Sequence, residues 1–161
     1  DRSNVLRFGK PPARDGATTN RSDNFRSEQA LAHETWKSWI QTSRDAPWTK
    51  EVDDWTERLN DSLEKIGRPF GWRVRDAIHQ YIANYPGVRG GSEYKTAMAD
   101  QVEQKIIPKL RGLDLIQSQE SLNGVLDVLD ELGDEVLLNT FRECQQDTMY
   151  GTFNWRGVTR E

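Results

Sequence analysis

Between Arg68 and Tyr85 the chain has little freedom in its local structure. Val74, Ile78, Tyr81, Ile82 and Tyr85 recur at intervals of four, three, one and three, the repeat of a helix that buries one face. Pro69 and Gly71 mark a turn into this helix, and Tyr85-Pro86-Gly87 closes it. The same stretch holds Arg68, Arg73 and Arg75, with Asp76 as the only local acid. Arginine in a first helical turn works against the macrodipole, whose positive end lies there. A bound anion would reverse that sign, because first-turn amides and guanidinium forks both suit phosphate. The plainer alternative is that the arginines lie over the surface and pair with nearby acids, and composition alone favours it.

Other segments show the same kind of periodicity. Ser27 is a candidate N-cap before Leu31, Trp36, Trp39 and Ile40, and Thr49 before Val52, Trp55, Leu59, Leu63 and Ile66. Gly67 stops the second of these helices. Gly90-Gly91-Ser92 reads as a hinge, with Ser92 capping a helix that carries Tyr94, Met98, Val102, Ile106 and Leu110. Pro108 sits late in that helix and opposes the carbonyl of Gln104, which predicts a kink or an end. Leu122, Val125, Leu126, Leu129 and Leu132 mark a further helix closed near Gly133, and Val136, Leu137, Phe141 and Cys144 mark the last. The aromatic stretch from Met149 to Trp155 suits a short strand or a packed coil. Asn4–Phe8 is β-prone but has no partner strand, so the pattern is about six helices behind one orphan strand. Residues 1–24 read as the orphan strand and a linker, 25–155 as the helical domain and 156–161 as a tail.

Composition narrows the chemistry. A net charge of −4 over 161 residues argues against a domain whose main task is wrapping nucleic acid. Cys144 is the only cysteine, so neither an intrachain disulfide nor a cysteine-based zinc cage can form, and its apolar stripe marks a core thiol. His33 and His79 are the only histidines, and no metal site is expected. Gly90–Thr96 superficially suggests a phosphate loop, but Tyr94 stands where the glycine before the lysine belongs. The acids from Asp127 to Glu135 lack calcium-loop spacing and read as a solvated face. No run is long and apolar enough to span a membrane, and a cytoplasmic home is expected.

Several short segments, in order, resemble the carboxy-terminal part of the McrB-like AAA+ nucleotidases of modification-dependent restriction systems. Asp1-Arg2-Ser3-Asn4-Val5-Leu6-Arg7-Phe8 resembles that family's Asp-Arg-Ala-Asn-Val-Ile-Glu-Phe, with Ser3 and Arg7 as departures. Phe70-Gly71-Trp72-Arg73-Val74 resembles its Phe-Gly-Tyr-Arg-Val. Gln104–Gly112 resembles Gln-Lys-Val-Leu-Pro-Lys-Leu-His-Gly, and Gly151–Trp155 resembles the family's ending.

The resemblance implies a helical lid subdomain whose Walker motifs lie upstream of Asp1. It implies that Arg73 acts as the sensor-2 arginine on a γ-phosphate, with Arg75 as the alternative, and that Arg2 acts as the arginine finger. A permanently charged fork suits both roles, since it can neutralise a transferring phosphoryl group. The cofactor implied is GTP or ATP with Mg, held by the parent and not by this segment, which alone would not be an enzyme. The partners implied are the upstream core, neighbouring subunits of a ring such as a hexamer, and a McrC-like nuclease, with DNA reached only through the whole complex. Two alternatives stand beside this. One is a protein-interaction module anchored by tryptophans such as Trp36, Trp48 or Trp155. The other is a small nucleic-acid-binding domain using Arg68, Arg73, Arg75 and Arg89.

Overall fold

The computed structural model describes residues 46–88, 93–147 and 151–159, together with Glu34, Thr35, Lys37 and Met149. Among them are five α-helices: α1 (Thr49–Glu64), α2 (Trp72–Ala83), α3 (Tyr94–Gln101), α4 (Gln119–Leu132) and α5 (Glu135–Gln146). The described part is a mainly helical bundle, as the apolar periodicity predicts. Glu34, Thr35 and Lys37 are helical; the rest of the helix expected after Ser27 lies outside the described residues, as do the expected strand at 4–8 and its linker.

Each helix contributes one buried face. Val52, Trp55, Leu59 and Leu63 line α1 and pack on α4, where Leu122, Val125, Val128, Leu129 and Leu132 are buried. Val128 takes the inward place expected for Leu126, which is half-buried at the flank. Gly124 makes the α1–α4 approach possible: a Cβ there would overlap the Ser62 hydroxyl, which donates to the Arg58 carbonyl at 2.9 Å. From α2, Ile78 and Ile82 enter the core, while Val74, Tyr81 and Tyr85 cover its edge. The Tyr81 hydroxyl donates to Asp100 Oδ2 at 3.2 Å, and desolvation, then the Asp100 charge, push its pKa up to about 12. In α5 the buried set is Leu137, Leu138, Phe141 and Cys144, whereas Val136, expected in the stripe, is exposed. The spacing of the buried side chains favours Leu138, which shares a face with Phe141.

The ends differ from expectation in instructive ways. Thr49 is the first helical residue of α1 and not its cap; Trp48 holds the N-cap position without a side-chain bond. Glu93 precedes α3, and Ser92 lies outside the described residues. Asp134 caps α5, accepting from the Leu137 amide at 3.0 Å, so one of the supposed solvated acids has a structural task. Gly133 closes α4 in the left-handed region at φ 75°, which suits a residue without Cβ.

Pro108 has the anticipated effect, spread over nine residues. Val102–Ile106 forms a π-helical turn and Ile107–Leu110 a 3-10 turn. Met98, Val102, Ile106 and Leu110 are all fully buried. Their strict four-residue spacing exceeds the 3.6 of an α-helix, and a widened turn keeps them on one face. Beyond Leu110 the chain runs through two turns and between them pairs with the tail through one antiparallel bridge, Asp114 with Thr152.

Gln101, just before the π-turn, is completely buried, and neither its Oε1 nor its Nε2 has a hydrogen-bond partner. An unsatisfied buried amide costs about 1–3 kcal/mol. Gln101→Met, which keeps the length and removes both polar atoms, is therefore expected to raise the unfolding free energy by about 1 kcal/mol, read as a higher urea midpoint at unchanged slope. A lower midpoint would mean that the amide is satisfied after all.

Candidate functional site

The turn from α1 into α2 is built by side chains that satisfy backbone groups. Asn60 Oδ1 accepts from the Phe70 amide at 2.7 Å, and the Arg68 guanidinium donates to the carbonyls of Lys109 and Arg111. Arg68 is thereby committed to structure. Gly71 then opens α2 in an extended conformation with no side-chain cap; its carbonyl accepts from the Val74 amide at 2.9 Å, which leaves the Trp72 and Arg73 amides open at the helix start.

Two of the three sequence-selected arginines lie on this turn, in different states. Arg73 is exposed and makes no hydrogen bond or ion pair with any described residue. Arg75 is half-buried and held. Its Nη2 lies 2.7 Å from Asp53 Oδ1 and its Nε 3.2 Å from the same oxygen, while its guanidinium carbon sits 5.4 Å from the centre of the Trp72 ring. His79 closes this group from below, with Nε2 2.9 Å from Asp53 Oδ1 but outside hydrogen-bond geometry, and its ring 6.0 Å from that of Trp48. The positive excess read from the local sequence is thus reduced by an acid from another helix. Arg2, the third candidate, lies outside the described residues, and so does Arg89.

Between α1 and the start of α2 runs a cleft of about 290 Å³, walled by Glu57, Asn60 and Asp61 on one side and by Phe70, Trp72 and Arg75 on the other. Trp72 is 75 % exposed. Glu57 and Asp61 are exposed and have no ion-pair partner among the described residues. The site therefore combines an unengaged guanidinium at an uncapped helix start with an adjacent acidic, aromatic cleft.

Other sequence candidates are settled by packing. Trp48, expected as an exposed anchor, is buried, and Trp155 is half-buried against Phe141 with ring centres 6.4 Å apart. Trp36 lies outside the described residues; among these, the tryptophan that faces outward is Trp72, whose neighbours one and two turns on, Asp76 and Gln80, are polar, and that pattern was the available signal. Lys95, from the stretch resembling a phosphate loop, donates to the Glu131 carbonyl at 3.1 Å and lies over the Trp55 ring. Cys144 is a core thiol whose pKa desolvation pushes up, against a lowering contact from the Arg156 backbone. Among the described residues no group of three or more His, Cys, Asp or Glu could hold a metal ion, and no helix is long and apolar enough to cross a membrane.

Comparison with known proteins adds one firm statement. Residues 25–152, well over half of the chain, match the family described as Domain of unknown function (DUF8727). The chain belongs to this family. The DUF8727 match takes in all five helices, the Asp53–Arg75 pair and the cleft at Trp72, and it ends one residue before Phe153. No curated protein and no solved structure matches the chain.

Proposed function

We propose that this DUF8727 domain is the lid of a McrB-like AAA+ nucleotidase, with Arg73 as the residue that reaches the γ-phosphate of nucleotide held by a separate core. The observation that carries the reading is the state of Arg73: a guanidinium in the first turn of α2, exposed, unpaired and beside amides that no side chain caps. A charge placed against its own helix dipole, with no carboxylate bonded to it, is stabilised by an arriving anion. Arg75 ranks second, because taking a phosphate would mean giving up Asp53. Arg2 remains the proposed finger acting across a subunit boundary. GTP or ATP with Mg, a ring of like subunits and a McrC-like nuclease belong to the same proposal, which places the work in DNA restriction.

The test uses the longer polypeptide that would carry this domain behind its Walker motifs. Arg73→Ala is expected to lower nucleotide turnover by about a hundredfold or more, as loss of a charge-stabilising donor does. The exposed position leaves the thermal midpoint unchanged, and Arg73→Lys restores only part of the rate because the fork is lost. Turnover unchanged in Arg73→Ala removes the sensor assignment.

A further inference from the structure

The cleft beside Trp72 has the wrong charge for phosphate and the right one for a cation. Glu57 and Asp61 stand one helical turn apart on α1, on the same face, and neither has an ionic partner among the described residues. Glu64, exposed and likewise unpaired, continues that face towards the turn, and Asp76 stands one turn beyond Trp72 on α2. Arg75 does not cancel these charges, because Asp53 already neutralises it. Arg73 supplies one positive charge at the margin, and the start of α2 adds roughly half an elementary charge. Glu57 and Asp61 in the lining, with Glu64 and Asp76 on the same helices outside it, outweigh them.

The aromatic wall makes the choice of cation more specific. Trp72 already carries the Arg75 guanidinium at 5.4 Å from its ring centre, and with 75 % of its surface exposed it has a large part of the indole still to offer. An indole face attracts cations, and a planar guanidinium stacks on it while its edge donates to carboxylates in a fork. Ammonium lacks the plane, and metal ions need more converging oxygens than Glu57 and Asp61 supply. A volume of about 290 Å³ lies at the bottom of the range for small-molecule pockets, so it suits a side chain better than a nucleoside with its phosphates.

We infer that the cleft between α1 and α2 is a receptor for an arginine side chain presented by an exposed segment of a protein partner. The arginine stacks on Trp72 and forks to Asp61 and Glu57, and Asn60, already holding the Phe70 amide, keeps the two walls at a fixed separation. This surface stands independently of the nucleotide reading of Arg73: the one needs a cation, the other an anion.

The test titrates two short glycine-serine peptides into the isotope-labelled chain, identical except that one has arginine where the other has citrulline. Nuclear magnetic resonance follows the Trp72 indole N–H, assigned with Trp72→Phe, and the backbone amides of residues 57–61. The arginine peptide is expected to shift these signals saturably, less strongly as salt is raised. The citrulline peptide, with the same shape and no charge, is expected to bind about tenfold more weakly or worse, a difference of about 1.4 kcal/mol. The double variant Glu57→Gln, Asp61→Asn is expected to lose a similar factor, and its exposed positions leave the fold intact. Equal binding of the two peptides, or no shift up to millimolar peptide, overturns the inference.

Discussion

Phe153→Ala is expected to lower the free energy of unfolding by about 3–5 kcal/mol, a large share of the 5–15 kcal/mol that holds a domain together. Phe153 lies in a tail with no regular structure, yet it is fully buried, with its ring centre 5.0 Å from that of Phe141. Its backbone is fixed as firmly as its ring. The Phe153 amide donates to Leu113 O at 2.8 Å, the Gly112 amide donates to Phe153 O at 2.9 Å, and Leu115 reaches Gly151 O at 3.1 Å. The tail therefore clips the turns after the 3-10 helix onto α5, and the ring fills the space between them. Alanine would leave a cavity whose walls are tied by those hydrogen bonds and cannot collapse into it. Ile116→Ala, in the turn that follows Asp114 and 87 % exposed, is expected to stay within about 0.5 kcal/mol. Urea unfolding of the two variants decides the matter; a loss below 1 kcal/mol for Phe153→Ala would mean that the tail is not part of the core.

Periodicity made the helices legible because a buried stripe has to be written into the chain at the spacing of the helix itself. That is why α1, α2 and α4 lie close to where Val52–Leu63, Val74–Tyr85 and Leu122–Leu132 place them. Pro108 was legible for a different reason: its ring acts on the residue four before it, so the disturbance is local. Contacts between distant segments were not legible. Nothing around Asp53 announces that it will meet Arg75, and nothing around Gly124 announces that Ser62 will press on it. Those pairings depend on how α1 lies against its neighbours, which one-dimensional spacing does not encode. Caps failed for a related reason. Thr49 and Asp134 both stand before apolar stripes, and only the backbone angles decide which oxygen reaches an amide. At the candidate site, Arg73 was visible as a charge in the wrong half of a helix, but the cleft beside it, with carboxylates from α1, was not.

Trp55→Ala should be as costly as the loss of Phe153, at about 3–5 kcal/mol, and its partner lets the contributions be separated. Trp55 is 1 % exposed, and its indole N–H donates to Glu131 Oε2 at 2.8 Å. Arg58 grips the same carboxylate with two bonds, 2.9 and 2.8 Å, and Lys95 donates to the Glu131 carbonyl. Glu131 sits in the last turn of α4, where the macrodipole disfavours an acid, so Arg58 and Trp55 offset a local penalty to tie α1 to α4. Trp55→Phe keeps most of the apolar volume and removes the donor; it should cost about 1–3 kcal/mol, less than alanine. The bonds from Arg58, then that from Trp55, hold the Glu131 carboxyl below its ordinary value of 4.5. A folded-state pKa below the unfolded one means that the unfolded chain binds the proton first. The stabilisation is therefore complete above 4.5 and is lost as pH falls through the lower folded value. With Glu131 half exposed, solvent screens the pair, and the effect on pH dependence is smaller than the effect of losing the tryptophan. Glu131→Gln cannot titrate, so its unfolding free energy should fall less steeply on acidification below 4.5 than that of the parent. Parallel acid profiles for the two proteins would place the acid sensitivity elsewhere, leaving Trp55 as an apolar anchor whose hydrogen bond adds little.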